Sequence, residues 1–565
     1  MAEQKPNPPE KPLPSFLFQT PRMTQVRSIL EGKPTPKFLI PPPPVPENEI
    51  RETQSADIVI VGEGFAALCC ALRARQAGAD VLIVTASKRP VGRGGSVFAA
   101  YSKVMAEHGL PREDLDKFLL EEMEARAFLL DQRKYYRFIN RSEEAMIWLI
   151  DLLRAHGVDS DLEDANEDDH DSPTYMPPGT HFFVPTGPDV KGFGIGLALN
   201  VLEDEYLALG GRLVRETVAE QLEKDGARVV AVLARKPDGG YLRAVGKRAV
   251  VLATGDFSRN REMMEVFCPQ FAEGFSPEPA DYDAGFSVGG LMNGDGQRMA
   301  LWAGAAWQRT WPCAPMIQGS RASSHMPYGS HRGLRLNVRG ERYCNEDMNG
   351  AYTALTTMRE PEGKAFIVWG SNYADELEWR NPGGKRDGPA MTREEILAAW
   401  DLQIKIGKAV KGDTIEEVLD KLGLPKETAM AEIERYNGYC RAGKDPDFHK
   451  SPKYLQEIRE APFYGATLVD HYFFTVLGGP RTNWKMQICD ADDNPIPGLY
   501  CLGTMMGDFY AACYNFRIPG ENYGSCLTFG YLTGEALAGG GEYAPNRQLI
   551  SAKRPPISGG LLALK

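Results

Sequence analysis

Gly62-Glu63-Gly64-Phe65-Ala66-Ala67 follows at once on Ala56-Asp57-Ile58-Val59-Ile60-Val61, a short β-branched run of the kind that forms a buried parallel strand. Leu68 to Ala77 reads as a helix of small and apolar residues, Gly78 ends it, and Asp80-Val81-Leu82-Ile83-Val84 reads as a second strand. A G-x-G-x-x-A turn inside such a βαβ unit has a specific use. Its glycines let the chain turn and let the backbone touch a pyrophosphate, and the helix N-terminus offers its N–H groups to the phosphates. The chemistry is dinucleotide binding, with Gly62, Gly64, Phe65 and Ala66 as candidate contacts. The second strand of such a unit usually ends in an acidic residue that holds the ribose hydroxyls. Thr85 stands there instead, followed by Ala86 and Ser87, which leaves hydroxyl side chains to make that bond. Another buried run, Ala249 to Gly255, ends in Thr-Gly, so Ala253, Thr254 and Gly255 let backbone approach the nucleotide.

These pieces need a large scaffold, and the chain supplies one. Its 565 residues suggest two to four domains. Hydrophobic residues make up 43% and charged residues 25%, as in soluble globular chains. Lys plus Arg is 64 against 76 Asp plus Glu, and the resulting net charge of −12 argues against a nucleic-acid surface. No apolar run is long enough for a spanning helix, and Met1 to Phe18 lacks a signal-peptide core, so a cytoplasmic protein is expected. Ten cysteines show no CxxC, haem or zinc spacing, which predicts reduced thiols and no metal site. Residues 1–50 hold 13 of the 41 prolines and read as an extended arm. Phe16, Phe18, Phe38, Leu39 and Ile40 make that arm adhesive, so it is expected to lie on the body of this subunit or on a partner, the alternative being a disordered tail. Residues 112–156 read as helical, 163–171 as an acidic loop with a solvated His170, and 211–214 and 228–233 as strands of a smaller sheet.

In order along the chain, several further segments carry a resemblance. They are Val59 to Gly64, Gly92-Arg93-Gly94-Gly95-Ser96, Val250 to Phe257, Asn293-Gly294-Asp295-Gly296, Leu336 to Glu346, Pro462-Phe463-Tyr464, Gly478-Gly479, Pro497 to Gly503, and Gly520 to Gly530. Together they resemble the fumarate reductase and succinate dehydrogenase flavoprotein superfamily, which includes fumarate and urocanate reductases and 3-ketosteroid dehydrogenases. The resemblance implies an α/β fold: a Rossmann-like, discontinuous FAD-binding domain (51–310 and 475–540) with an inserted α+β capping domain (311–474), an arm (1–50) and a C-terminal tail (541–565). It implies FAD contacts from Arg93, Gly94, Gly95, Ser96, Val218, Asp295, Gly479, Gly503, Thr504, Gly520, Glu521 and Asn522. Members of the succinate dehydrogenase branch carry a flavin-linked His near Gly94-Gly95. None stands there in this chain, so FAD is expected to be non-covalent.

The catalytic residues fit the family less well. Arg517 matches the position of the Arg that grips a substrate carboxylate in fumarate reductases, where ketosteroid enzymes place a Tyr. The proton-donating Arg of fumarate reductases has no counterpart: Gly350 stands at its position, after Asn349, and Thr475 replaces a substrate-binding His. Reduction of fumarate itself is therefore not expected. Tyr510, Tyr514, Tyr352 and Tyr472 are candidate replacements for the acid, since a phenol of lowered pKa near a flavin can donate a proton; His471 and Asp508 are further candidates. Phe509, Phe516 and Trp311 suggest an aromatic pocket for a larger substrate, and Glu521, unusual in a flavin loop, needs a cationic partner that Arg517 could supply.

The leading expectation is an FAD-dependent oxidoreductase that passes a hydride between flavin N5 and an activated C=C or CH–CH bond of an unsaturated acid or enone, in the reductive direction. The alternatives are a 3-ketosteroid-type dehydrogenase and a flavin-bearing electron-transfer subunit docked through residues 1–50. An external electron carrier is expected, because the sequence has no haem motif, Fe–S run or second nucleotide fingerprint. Oligomerisation is open.

Overall fold

A computed structural model describes residues 30, 32–112, 114–163, 176–190, 192, 194–272, 291–318, 333–348, 350–375, 391–468, 472–511, 513–514 and 516–539. His170, His471 and the 541–565 tail lie outside the described residues, as does the side chain of Tyr472.

The body is built on an eight-stranded sheet. Its central strand, Ile50–Val61, alternates between outward and inward residues in its first half and is buried from Ile58 to Val61. That change marks where the sheet becomes covered on both faces. It lies parallel to Val81–Val84 on one side and to Tyr241–Leu252 on the other. Arg212–Val214 and Pro495–Cys501 extend the parallel array outward. Register makes the strands end level: Val61 pairs with Val84 and with Leu252, Val84 with Val214, and Leu252 with Cys501. Open parallel sheets bind ligands just beyond such an edge. Residues 212–214 and 228–235 are thus part of this main sheet and not of a separate smaller one. Only three residues of 212–214 pair, too few for their sequence to declare which sheet they join.

Phe65–Gln76 and Glu521–Leu537 cross over one face of the sheet with almost no side chain between them. A Cβ at Gly530 would lie 2.8 Å from the Ala66 carbonyl oxygen, and one at Gly534 would lie 2.4 Å from that of Cys70. Small residues on both helices permit this contact and set the height of both N-termini above the sheet edge.

The cap has its own four-stranded antiparallel sheet, ordered Leu334–Leu336, Ala365–Gly370, Phe463–Leu468 and Val410–Gly412. Its core centres on Trp369, Trp400 and Tyr464, with Trp400 edge-on to the other two rings. The Leu336–Glu346 segment is spent on a buried charge network inside this cap: Arg342 bonds Glu346 and Asp445, each at 2.8 Å, and Lys450 lies 3.3 Å from Glu346. An antiparallel ribbon, Ala314–Gln318 with Tyr472–Leu477, joins cap to body. The described part of the arm lies on its own body. Phe38 is buried against Phe267, its carbonyl accepts from Trp302 Nε1 at 2.9 Å, and Pro43 accepts from Gln221. No helix among the described residues is long and apolar enough to cross a membrane.

Two glycine substitutions test the helix contact with opposite signs. In a helix Gly→Ala normally stabilises, by about 0.5–1 kcal/mol, and Gly438→Ala, whose added methyl would approach nothing closer than Arg441 at 4.0 Å, is expected to do so. Gly534→Ala is expected to destabilise by about 1–3 kcal/mol, because backbone must move to admit the methyl. Urea unfolding of both variants reads the two signs; a stabilising Gly534→Ala would contradict the close approach.

Candidate cofactor and active site

Beyond the level strand ends lies an elongated cavity, about 260 Å³ as measured by the space open to water centres, between the body, the Gly92–Ser96 loop and the ribbon. This is an order of magnitude more than one water needs. All the cofactor contacts named from sequence line it except Gly479 and Glu521. Of the catalytic candidates whose side chains are described, only Tyr514 does.

The strand–turn–helix geometry explains the lining. Gly62 has φ +109° and a Cβ there would lie 2.3 Å from the Ala253 carbonyl oxygen, so only glycine lets the first and third strands end side by side. Gly64 differs: a Cβ would meet only the Val91 carbonyl oxygen, at 3.9 Å. The room left there belongs to the cavity. Phe65–Gln76 starts at Gly64 with no side-chain cap and no acidic residue in its first turn. Its N–H groups and the positive end of its dipole therefore meet the cavity unopposed, as a pyrophosphate requires. Glu521–Leu537 likewise starts without a side-chain cap at Gly520, with Gly520, Asn522 and Tyr523 on the cavity wall. No histidine lines the cavity among the described residues. The residues present fit a non-covalent FAD.

Two polar groups stand at the ends of this space. At the end of the second strand, Glu63 lies buried with both carboxylate oxygens on Arg215 Nε, at 3.2 and 3.1 Å, and Ser87 Oγ 3.4 Å away. Burial pushes its carboxyl up and Arg215 pulls it down. At the ribbon end, Asp256 Oδ1 accepts from Ser258 N (3.0 Å) and Ser258 Oγ (2.8 Å), while its Oδ2 bonds Thr475 Oγ1 and lies 3.8 Å from Arg93. Arg93 Nη1 also donates to the Phe474 carbonyl at 2.6 Å, and the Arg93 backbone N–H donates to Tyr523 Oη at 2.6 Å. Phe474, Phe516 and Tyr514 form an aromatic wall beside this cluster, with centroids 5.9 and 4.7 Å apart in sequence along the wall. Sequence reasoning passed over Glu63, Asp256 and Tyr523. The one available signal was a charged residue in each of two glycine-rich turns.

Several expectations are corrected. Arg517 does not reach the cavity: it bonds Glu121 at 2.7 Å and Glu122 at 3.0 Å. Glu521 is not paired with Arg517. It turns away from the cavity onto Arg126, 2.9 Å away, which also holds Glu122 at 3.0 Å. Burial raises the Glu521 carboxyl, and Arg126 offsets this in part. Tyr510 is buried behind the wall, its hydroxyl 3.4 Å from Asn522 and Ser525. Tyr514 gives its hydroxyl proton to the Ile518 carbonyl at 3.0 Å. Burial raises both phenols well above their ordinary range, the opposite of what a proton donor needs. Tyr352 lies on the Gly350–Thr357 helix and is not among the residues that line the cavity. Asp508 holds a turn, accepting from Arg309 N (2.7 Å) and Thr310 N (2.9 Å). Phe509 packs in the body core against Tyr135 and Phe529, and Trp311 is 44% exposed; only Phe516 of the three aromatic candidates faces the cavity. Gly479 packs under the Met505 loop, 2.5 Å from the Met505 carbonyl at its Cβ position.

Gly64→Val projects a side chain into the cavity without striking protein backbone. The variant is expected to fold, by far-UV circular dichroism, and to bind FAD at least about 100-fold more weakly. Full flavin occupancy, read from absorbance after desalting, would contradict the proposed position of the pyrophosphate.

Comparison with known proteins agrees with this geometry. Residues 57–515 match a family model described as an FAD binding domain. Over 520 residues the chain is 26% identical to a vinyl phenol reductase of Lactiplantibacillus plantarum, covering 88% of this chain and 98% of that protein. It is 27% identical to a 3-oxosteroid 1-dehydrogenase of Mycolicibacterium smegmatis, over 58% of this chain and 59% of the other. The solved structure of a 3-ketosteroid-Δ4-(5α)-dehydrogenase from Rhodococcus jostii shares the fold, with a TM-score of 0.67 at 22% identity, over 88% of this chain and 99% of that one. With a family match that spans most of its length, the chain belongs to the FAD binding domain family and is an FAD-dependent oxidoreductase.

Proposed function

We propose that the protein reduces a C=C bond conjugated to an aromatic ring or a carbonyl, in a substrate larger and less polar than a four-carbon diacid. The observation that carries this reading is the Phe474–Phe516–Tyr514 wall, coupled with an Arg517 that is held by two carboxylates outside the cavity. A flat conjugated substrate gains from such a wall through burial and ring contacts. Similarity to a vinyl phenol reductase over 88% of the chain supports the same substrate class.

In this reading the first-turn amides of Phe65–Gln76 hold the pyrophosphate, Thr85 to Ser87 and Val218 flank the adenosine, and Gly255, Gly503, Thr504, Gly520 and Asn522 flank the flavin ring. Once reduced by the external carrier, FAD held there would supply hydride to such a C=C bond. The aromatic wall holds the substrate plane, and the cap with its ribbon excludes water. Asp256, fixed by Ser258 and joined to Thr475 and Arg93, is the polar group that meets the substrate oxygen and supports proton delivery to the second carbon. Reducing equivalents come from an external carrier. All ten cysteines are free thiols, which supports work in the reducing cytoplasm.

Anaerobic reoxidation of the chemically reduced holoprotein tests the function. Vinylphenols or aryl enones are expected to restore the oxidised flavin spectrum promptly, and fumarate is not. Bleaching of the oxidised flavin by 3-ketosteroids, with no response to any alkene, would replace this reading with the dehydrogenase. On the substrate so found, Asp256→Asn is expected to lower kcat by roughly 10- to 100-fold with FAD occupancy retained; an unchanged kcat would remove Asp256 from the chemistry.

A further inference from the structure

We infer that Glu521 lowers the reduction potential of the bound flavin, by placing a carboxylate charge at the start of the helix that faces the flavin ring. The inference rests on the reading above that Gly520 and Asn522 flank that ring. The two helices that open on the cavity differ in their first turns. Phe65–Gln76 carries no acidic residue there, whereas Glu521 is the first residue of Glu521–Leu537. The positive end of a helix dipole favours an anion, and a carboxylate in the first turn offsets it. Phosphates are anionic throughout and gain from the bare terminus. A flavin ring is different, because it becomes an anion only when two electrons and one proton reduce it. An offset dipole gives that new charge little support, which makes the reduced cofactor a stronger hydride donor.

The charge acts through low-dielectric protein rather than by contact. Glu521 is 1% exposed, and its Oε1 and Oε2 lie 2.9 and 3.0 Å from Arg126 Nη2. Arg126 is buried too, against Glu122 and over the Tyr135 ring. Arg517 and Glu121 lie on the outer side of this cluster, with Lys117 at its exposed rim. The Glu521 charge nevertheless reaches the cavity wall. Burial raises the Tyr514 phenol there, Glu521 raises it further, and Arg126 opposes this more weakly. Burial and Glu521 likewise raise the Tyr510 phenol behind the wall. Glu122 holds the same guanidinium from Leu115–Ala125, a helix with no residue on the wall. Of the two carboxylates on Arg126, Glu521 is therefore the one placed to act on the flavin.

The test is the midpoint potential of the holoprotein, titrated with a chemical reductant and redox dyes at mildly alkaline pH. Glu521→Gln keeps the shape of the side chain and leaves Arg126 paired with Glu122. It is expected to favour the reduced flavin roughly tenfold, a rise of about 30 mV for a two-electron couple. Glu521→Ala should give the same rise and serves where the Gln variant does not hold FAD. Glu122→Gln removes an equally buried carboxylate from the same guanidinium and is expected to give a smaller rise. Asn522→Asp, which puts a charge on the wall itself, is expected to lower the potential. Equal rises in Glu521→Gln and Glu122→Gln would mean that disturbance of the cluster, not the charge at the helix start, moves the potential, and would overturn the inference. If Asn522→Asp lowers the potential and Glu521→Gln changes nothing, the inference fails alone. If neither variant moves the potential, the flavin ring lies elsewhere and the reading beneath the inference fails with it. No alkene enters the measurement, so its outcome is independent of which substrate the enzyme reduces.

Discussion

The structure depends on the near-contact of two helix backbones. Phe65–Gln76 and Glu521–Leu537 come from opposite ends of the chain, and Gly530 and Gly534 let them meet at carbonyl distance. The contact is rigid because nothing flexible lies within it. Two dipoles therefore face one cavity from fixed positions, the first without acidic opposition and the second with Glu521 in its first turn. Strand register does the complementary work by ending the parallel strands level, so that turns from residues 62, 85, 253 and 502 share one rim.

Behind the second helix lies a compact charge cluster. Arg126 and Arg517 face Glu121, Glu122 and Glu521, so three carboxylates share two guanidinium groups. Most of this cluster is buried, where an unpaired charge is costly. Desolvation, with the Glu122 charge beside it, is the physical reason that the Glu521 carboxyl is raised. The cluster also determines what the cavity lacks. Arg517 is consumed by it, which leaves Arg93 as the cationic side chain among the described lining residues and gives the substrate end its aromatic character.

The βαβ unit and its rim were readable because each property is local. A β-branched run, two glycines and a small-residue helix dictate one another within some thirty residues, and Gly62 and Gly64 took the places that reading gave them. Arg517 shows where such reading stops. The family's motif gives its position but not the direction of its side chain, which depends on Glu121 and Glu122 almost 400 residues earlier. The same distance separates Glu521 from Arg126. The tyrosines failed for another reason. Their role required a lowered pKa, and full burial, with the Glu521 charge nearby, raises it at Tyr510 and Tyr514. Asp256 and Glu63 were in plain view as charges in glycine-rich turns, but only their three-dimensional partners give them meaning.

The order of the strands has a consequence for biosynthesis. Tyr241–Leu252 has Ile50–Val61 and Arg228–Arg235 already made beside it, but Pro495–Cys501, which pairs its residues 250–252, is roughly 240 residues away. At ribosomal speeds of about 5–20 residues per second, that flank of the sheet stays open for roughly ten to fifty seconds. The second helix is made later still, so the cavity's far wall is the last part to be completed. Until Pro495–Cys501 is made, the 250–252 end of that strand is an unpaired edge, the kind of surface that invites mispairing.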